Sequence, residues 1–389
     1  MQKNKVNASH TPLYREAGFN LRDAKTTKKA FIQEADNPHE PDNYIYSRYR
    51  NPTVVSAEKQ IMKLEEANWA LLAETGMAAI DIAVSIFQKG KETRPWLFFH
   101  EIYGGTNSFI DSVLIKRRGL DIHRFYAQDG LYDLSKLDEM LETIQPEFIY
   151  FEAVSNPMLI VADVEKIMRL AKKHSVKTII DNTFGTPYLW KPLLDEATLV
   201  IHSVTKYLSG HGDITGGVIC GNDSELLKEA IDYRKWAGHF MSPDDAHRLI
   251  DQLKTFNLRF KQHCDNALKI ARFLNEHPMV ETVLYPGLEN HSTFKEALAL
   301  FGQKGYGGMV TFDIMGKDDE EKASRCNAFI KSLEDTIPLV PTLGEVDSIL
   351  LPIEPVWGAK YPMPGMIRLS VGIEDADELI LNIDNALIL

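Results

Sequence analysis

Lys206 lies in the segment His202-Ser203-Val204-Thr205-Lys206-Tyr207-Leu208-Ser209-Gly210-His211, directly after the apolar run Thr198-Leu199-Val200-Ile201. A lysine leaving a buried strand among hydroxyls is placed for its amine to condense with a carbonyl as a Schiff base. Asp181 follows a second apolar run, Thr178-Ile179-Ile180. A carboxylate there can pair with a protonated ring nitrogen. The two residues together suit pyridoxal phosphate, whose ring then acts as an electron sink.

Other polar residues gain or lose meaning beside this pair. In Thr75-Gly76-Met77-Ala78-Ala79 a glycine opens a helix that the pattern carries to Phe87. Free N–H groups there can approach a phosphate, although a plain turn reads the same way. Ser203 and Thr205 could complete a phosphate cup or be ordinary turn residues. Tyr103, before Gly104-Gly105, could stack on a flat ring or simply pack half-buried. Asn156-Pro157 and Asn182-Thr183-Phe184 are common loop chemistry on their own. Arg368, inside a predicted strand, needs a partner; a substrate carboxylate or an internal aspartate would serve equally. The glycines between Gly210 and Gly217 follow the lysine and have the wrong spacing for a dinucleotide loop. His239, Asp244, Asp245 and His247 lack the spacing of a metal site, and no metal is expected.

These residues need elements to hold them. Trp96–Phe99, Phe148–Phe151, 178–180 and 199–201 are short continuous apolar runs, as strands buried on both faces are. Amphipathic segments such as Ile167 to His174 lie between them. Alternation of this kind predicts an α/β fold with a mostly parallel central sheet and helices on both faces. Ligands in such sheets bind beyond the carboxyl ends of the strands. His100–Tyr103, Glu152–Asn156, Asp181–Thr183 and Ser203–Lys206 all follow the runs and should converge on one edge. Residues 1–50 lack periodicity and read as an extended arm, proline-broken between Glu34 and Asn43. Asn51-Pro52-Thr53 opens a helix through Glu65. Residues 51–250 form the large domain; a long helix from Gln252 to Glu276 leads into a smaller α+β domain over 251–389. There Val280–Tyr285, Met309–Ile314 and Ile367–Val371 alternate as half-solvated antiparallel strands do. The charge run Lys317–Lys322 reads as a solvated helix start, and no internal repeat is evident.

Composition sets bounds. The chain has 389 residues, 44% hydrophobic and 25% charged, enough for two cores. A net charge of -12 argues against nucleic acid or anionic membranes as partners. No apolar run reaches the roughly 20 residues a membrane span needs. The charged start, Met1 to Asn7, has no apolar stretch behind it, so no secretory leader is expected. Cys220, Cys264 and Cys326 form neither a metal spacing nor a disulfide framework, which fits a reducing cytoplasm.

Taken together the segments Tyr46–Thr53, Thr75–Ala79, Tyr103–Thr106, Asp181–Phe184, Ser203–Tyr207 and Ile367–Gly372 resemble the Cys/Met-metabolism family of fold-type I pyridoxal-phosphate enzymes. The resemblance runs from about Tyr44 to the C-terminus. It implies that Lys206 holds the cofactor and shuttles protons, and that Asp181 pairs with the pyridine nitrogen. It also implies that Gly76, Met77, Ser203 and Thr205 bind phosphate and that Tyr103 stacks on the ring. Tyr46 and Arg48 would reach the phosphate of a neighbouring subunit, implying at least a dimer and, as a dimer of dimers, a tetramer. Asn156 and Arg368 would hold the substrate carboxylate. Thr342 stands in place of the family's usual serine, and the segment Leu350 to Met366 departs from the common lyase version. Both bear on substrate choice. Gly105 stands where methionine γ-lyases carry a cysteine. The implied activity is a carbon–sulfur lyase acting on cystathionine or a related thioether by β- or γ-elimination. The alternative is γ-replacement, as in cystathionine γ-synthase or an O-acylhomoserine sulfhydrylase. Two further rivals, an idle cofactor-binding protein and a domain without cofactor, leave the Lys206–Asp181 pairing and the converging clusters without a purpose.

Overall fold

The computed structural model describes residues 9–34, 37–128 and 130–388. The charged start at residues 1–7, and Ala35 and Asp36 of the proline-broken stretch, lie outside the described residues. Seven strands, β1 (Trp69–Ala73), β2 (Trp96–Phe99), β3 (Ile122–Phe125), β4 (Phe148–Glu152), β5 (Lys177–Asp181), β6 (Leu199–Ser203) and β7 (Gly217–Gly221), form one sheet. Their order is β1-β7-β6-β5-β4-β2-β3. The five strands from β6 to β3 in that order run parallel, as the alternation of apolar runs and helices predicts. β7 runs against both its neighbours. The patterning did not flag β1, β3 or β7, whose apolar runs are too short for periodicity to tell strand from helix.

The strand runs are buried along their whole length in β1, β2, β4 and β7. Aromatic and branched side chains then satisfy both faces, and helices must cover them. The helix Gly76–Ser85 packs against β6 and β7, and Val164–Lys173 against β5. The first of these ends two residues short of the expected Phe87. Gly217 permits its approach: a Cβ there would lie 2.3 Å from the Thr75 carbonyl oxygen.

A second sheet, β10-β11-β9-β8, is built from β8 (Val280–Leu284), β9 (Met309–Ile314), β10 (Ile349–Pro352) and β11 (Met366–Ser370), all antiparallel. It has its own apolar core around Ile270, Phe312, Phe329 and Ile383. The expectation of half-solvated strands holds only for β8. β9 and β11 are buried throughout, because helices cover one face and β4's outgoing loop meets the other: Thr311 Oγ1 donates to the Pro157 carbonyl at 2.8 Å.

Two further expectations need correction. The arm is not uniformly extended. Asp23 caps a helix over Ala24–Ile32, its carboxylate accepting from the Thr26 N–H. The long helix does not begin at Gln252. One helix, Pro243–Leu253, ends there, and a second, Phe256–Glu276, starts after Thr255. Arg259, 6% exposed, explains the break. Its guanidinium donates to the Gln252 carbonyl at 3.0 Å, which Thr255 also uses, and to the carbonyls of Tyr207 and Leu208 at 3.1 and 3.2 Å. A helix end is thereby tied to the loop that carries Lys206. The charge run Lys317–Lys322 does start a helix, Asp319–Ser332, with Asp318 as its cap.

His239 ties the end of the helix Ser224–Ala237 to the helix Gly76–Ser85. Its Nδ1 lies 2.8 Å from Glu74 Oε1 and its Nε2 3.1 Å from Asp81 Oδ2. Two carboxylates ask both ring nitrogens to donate, which only the imidazolium can do. The bonds to Asp81 and then Glu74 push its pKa up to about 9. A group bound more tightly to its proton in the fold stabilises fully below its unfolded pKa and loses that contribution as pH rises through the folded value. His239→Gln should therefore cost about 1 kcal/mol near pH 6, and much less near pH 10, as differential scanning calorimetry would read.

Candidate active site

The carboxyl ends of β2, β4, β5 and β6 meet β11 around a cavity of about 230 Å³. Gly76, Met77, Tyr103, Asn156 and Asp181 line it, as do Ser203, Thr205, Lys206, Thr342 and Arg368. Tyr46 and Arg48 do not. Arg48 Nη1 donates to the Lys235 carbonyl at 2.6 Å, and its guanidinium lies 5.4 Å from the Tyr46 ring and 5.3 Å from the Tyr49 ring. The Tyr46 side faces outward, 42% exposed.

Lys206 leaves β6 on a turn in which its N–H donates to the Ser203 carbonyl. Nζ donates to Thr342 Oγ1 at 2.8 Å. Burial strips water from the ammonium, and the charge of Arg368 adds to the effect, against a weaker opposite pull from Glu345. The pKa falls to about 8. An amine so placed is partly neutral near physiological pH and can act as nucleophile or base.

Asp181 ends β5. Its Oδ1 accepts from the Thr183 N–H at 3.0 Å, an Asx turn, and its Oδ2 from Tyr150 Oη at 3.3 Å. Burial raises its pKa, with Thr183 working against the rise. Thr183 also accepts the Ser203 N–H at 2.8 Å, so one hydroxyl locks the ends of β5 and β6 together.

At the other wall, Thr75 caps the helix Gly76–Ser85 by accepting from the Ala78 N–H. The N–H groups of Gly76 and Met77 are first-turn donors without a helical acceptor. Ser203 lies against Gly76, its Oγ 3.0 Å from where a Cβ would sit. Thr205 Oγ1 accepts from Gly216 N–H at 2.9 Å. The Thr205 hydroxyl donates in turn to the Gly216 carbonyl at 3.3 Å, so the helix start and the Ser203 hydroxyl are the donors that suit a phosphate.

Arg368, 5% exposed, sits in mid-β11. Nη1 donates to Asn156 Oδ1 at 3.1 Å and Nη2 to the Thr342 carbonyl at 2.9 Å; Nε is buried without a partner. The guanidinium lies 5.6 Å from the Trp357 ring centroid. Of the two partners open from sequence, the internal aspartate is not what it meets: an amide and a carbonyl hold it. A buried guanidinium with an unpartnered Nε has donor capacity that a carboxylate could take. Tyr103, 49% exposed, stands at the cavity mouth. Gly105 makes room for its ring, since a Cβ at 105 would come 2.4 Å from Tyr103 Cε1.

Sequence reasoning gave no role to Glu152, Thr183, Tyr150 or Trp357. The Asp-x-Thr spacing of Asp181 and Thr183 is an Asx-turn signal that could have been used. Trp357 lies in the connection between β10 and β11, and the pairing of those two strands brings it to Arg368.

The whole chain has the character of one family. The family model for the Cys/Met metabolism PLP-dependent enzyme matches residues 1–388. The chain is 35% identical over 355 residues to cystathionine gamma-lyase of Bacillus subtilis (strain 168), covering 88% of each. It is 35% identical over 359 residues to cystathionine beta-lyase of Lactococcus lactis subsp. cremoris (strain MG1363), covering 90% of this chain and 89% of that protein. Among solved structures, cystathionine gamma synthase from Xanthomonas oryzae pv. oryzae, in complex with cystathionine, superposes with a TM-score of 0.86 at 28% identity, over 99% of this chain and 94% of that one. The chain belongs to the Cys/Met metabolism family of pyridoxal-phosphate-dependent enzymes.

Proposed function

We propose that this protein is a carbon–sulfur lyase that cleaves cystathionine or a related sulfur amino acid by β- or γ-elimination. The observation that carries the reading is Lys206 Nζ, its pKa lowered to about 8, in one cavity with the Asp181 carboxylate and the underused Arg368 guanidinium. Those groups fit pyridoxal phosphate. When bound, it supplies a cationic ring that draws off charge from the substrate's α-carbon.

Around it each side chain has a task. The Gly76 and Met77 N–H groups, with the Ser203 hydroxyl, hold the phosphate. Asp181 keeps the ring nitrogen protonated, and Tyr103 covers the ring. Asn156 would meet the ring hydroxyl of a bound cofactor and, with Arg368, would clamp the substrate's α-carboxylate. Lys206 Nζ carries the cofactor, then takes the α-proton and returns a proton where the sulfur leaves. The products of elimination are a keto acid, ammonia and a thiol.

Thr342 keeps the hydroxyl that Lys206 Nζ uses, so the family's serine chemistry is retained with an added methyl. Gly105 stands where methionine γ-lyases carry a cysteine, and the lack of that thiol speaks against methionine as the main substrate. The second reading, γ-replacement on an activated homoserine, is supported by the likeness to the Xanthomonas synthase. Product analysis decides between them. Keto acid and ammonia from cystathionine support the lyase. A thioether formed from O-acetylhomoserine and cysteine, with no keto acid from cystathionine, would replace it with the second reading.

The arm supports shared sites. Tyr46 and Arg48 do not line their own cavity, Arg48 being held on the Lys235 carbonyl, and we read them as completing a neighbouring subunit's phosphate site in a tetramer of two dimers. A cytoplasmic setting is part of the same reading. Among the described residues no helix is long and apolar enough to cross a membrane. Mixing Arg48→Ala chains with Lys206→Ala chains, each inactive alone, should restore part of the activity; no recovery despite verified subunit exchange would mean self-contained sites.

Arg368→Lys keeps the charge but loses the fork. It should lower kcat/KM for amino-acid substrates about tenfold or more, with the cofactor's visible band unchanged. Wild-type kcat/KM, or loss of the band, would remove Arg368 from the carboxylate role.

A further inference from the structure

Glu152 is the last residue of β4 and Asp181 the last of β5, and the two are direct partners in the parallel register. In-register residues on neighbouring strands point to the same face, with backbones about 4.8 Å apart. Both line the cavity, and Glu152 is only 8% exposed. Burial raises the pKa of both carboxyls, and the charge of Asp181 adds to the rise at Glu152. Their hydrogen-bond partners set which gives up its proton first. Asp181 accepts from two donors, the Thr183 N–H and Tyr150 Oη. Glu152 accepts from one, the Tyr103 N–H at 2.6 Å, through Oε1.

The other groups around Glu152 do not reverse this. The hydroxyls of Tyr132 and Tyr361 face it, both with pKa values raised by burial, and neither brings a positive charge. Glu101 adds a further carboxyl to the same rim. Lys360 offers a cation, but its Nζ is engaged with the His100 carbonyl at 3.2 Å and burial lowers its pKa. Burial, then the charge of Asp181, holds the Glu152 carboxyl well above the usual carboxylate range.

We propose that Glu152 is a positioning residue of this site: its neutral carboxyl leaves Asp181 as the single negative charge at the strand ends and fixes the backbone of Tyr103 at the cavity mouth. This rests on the reading of Asp181 as partner of the cofactor's ring nitrogen. One charge then faces one cationic nitrogen.

Glutamine copies a neutral carboxyl in shape and still accepts from the Tyr103 N–H; alanine does neither. A carboxyl that binds its proton more tightly in the fold stabilises fully below the ordinary carboxyl range, and that contribution fades as pH climbs. In the full-length chain freed of cofactor, Glu152→Gln should therefore gain melting temperature relative to wild type between about pH 5 and about pH 8. Titration with pyridoxal phosphate, read by its visible band, should give Glu152→Gln a Kd within about threefold of wild type. Glu152→Ala should bind about tenfold or more weakly, since it leaves the Tyr103 N–H unpaired. A melting difference that is flat or falls with pH, or a glutamine variant that binds as poorly as alanine, overturns the proposal. Neither readout needs turnover, so an error in the lyase reading would appear separately, as wild-type protein that yields no keto acid from cystathionine.

Discussion

Lys206 and Arg368 bring two cations into one buried cavity, and the rest of the site is arranged around that constraint. An exposed lysine would stay charged near neutrality. Here burial and the neighbouring guanidinium lower the pKa to about 8, so deprotonation becomes accessible without any nearby base. The cost of holding Arg368 buried falls on Asn156 and the Thr342 carbonyl, which take two of its donors. Thr342 links the two cations: its carbonyl holds Arg368 and its hydroxyl accepts from Lys206 Nζ.

That junction spans the two sheets. Lys206 hangs from β6 and Arg368 from β11, and each sheet has its own apolar core. Their relative placement rests on polar ties of long sequence reach. Arg259 holds the Tyr207 and Leu208 carbonyls, and His263 Nδ1 lies 2.7 Å from the Val371 carbonyl. Thr311 holds the Pro157 carbonyl beside Asn156. Loss of such ties would shift the lysine relative to the guanidinium, and a displacement of about 1 Å is enough to impair positioned chemistry.

The carboxylate side of the cavity balances the cations in a different way. Strand ends in register bring Glu152 and Asp181 together, and burial raises the pKa of both carboxyls. The same strands bring Tyr150 to Asp181 and the Tyr103 loop to Glu152. A sheet edge thus sets charge state as well as position.

How much of this was legible in the chain follows from the range of each interaction. Lys206, Asp181, Gly76 and Ser203 stand next to strand or helix boundaries that the apolar runs reveal, so their convergence on one edge follows from local pattern and parallel topology. The helix Pro52–Glu65 and its Asn51 cap were equally local. The reversed strand β7, the break at Lys254–Thr255 and the full burial of β9 and β11 were not, because each depends on a partner far along the chain: Ser203 for Gly217, Tyr207 for Arg259, Pro157 for Thr311. Arg368 shows the division most clearly. Its sequence context marks a buried strand arginine that needs an acceptor. That its acceptors are an amide and a carbonyl, with Nε left over, was decided only when the second sheet docked onto the first. Hydrogen-bond geometry over 212 residues of separation cannot be encoded in any local pattern.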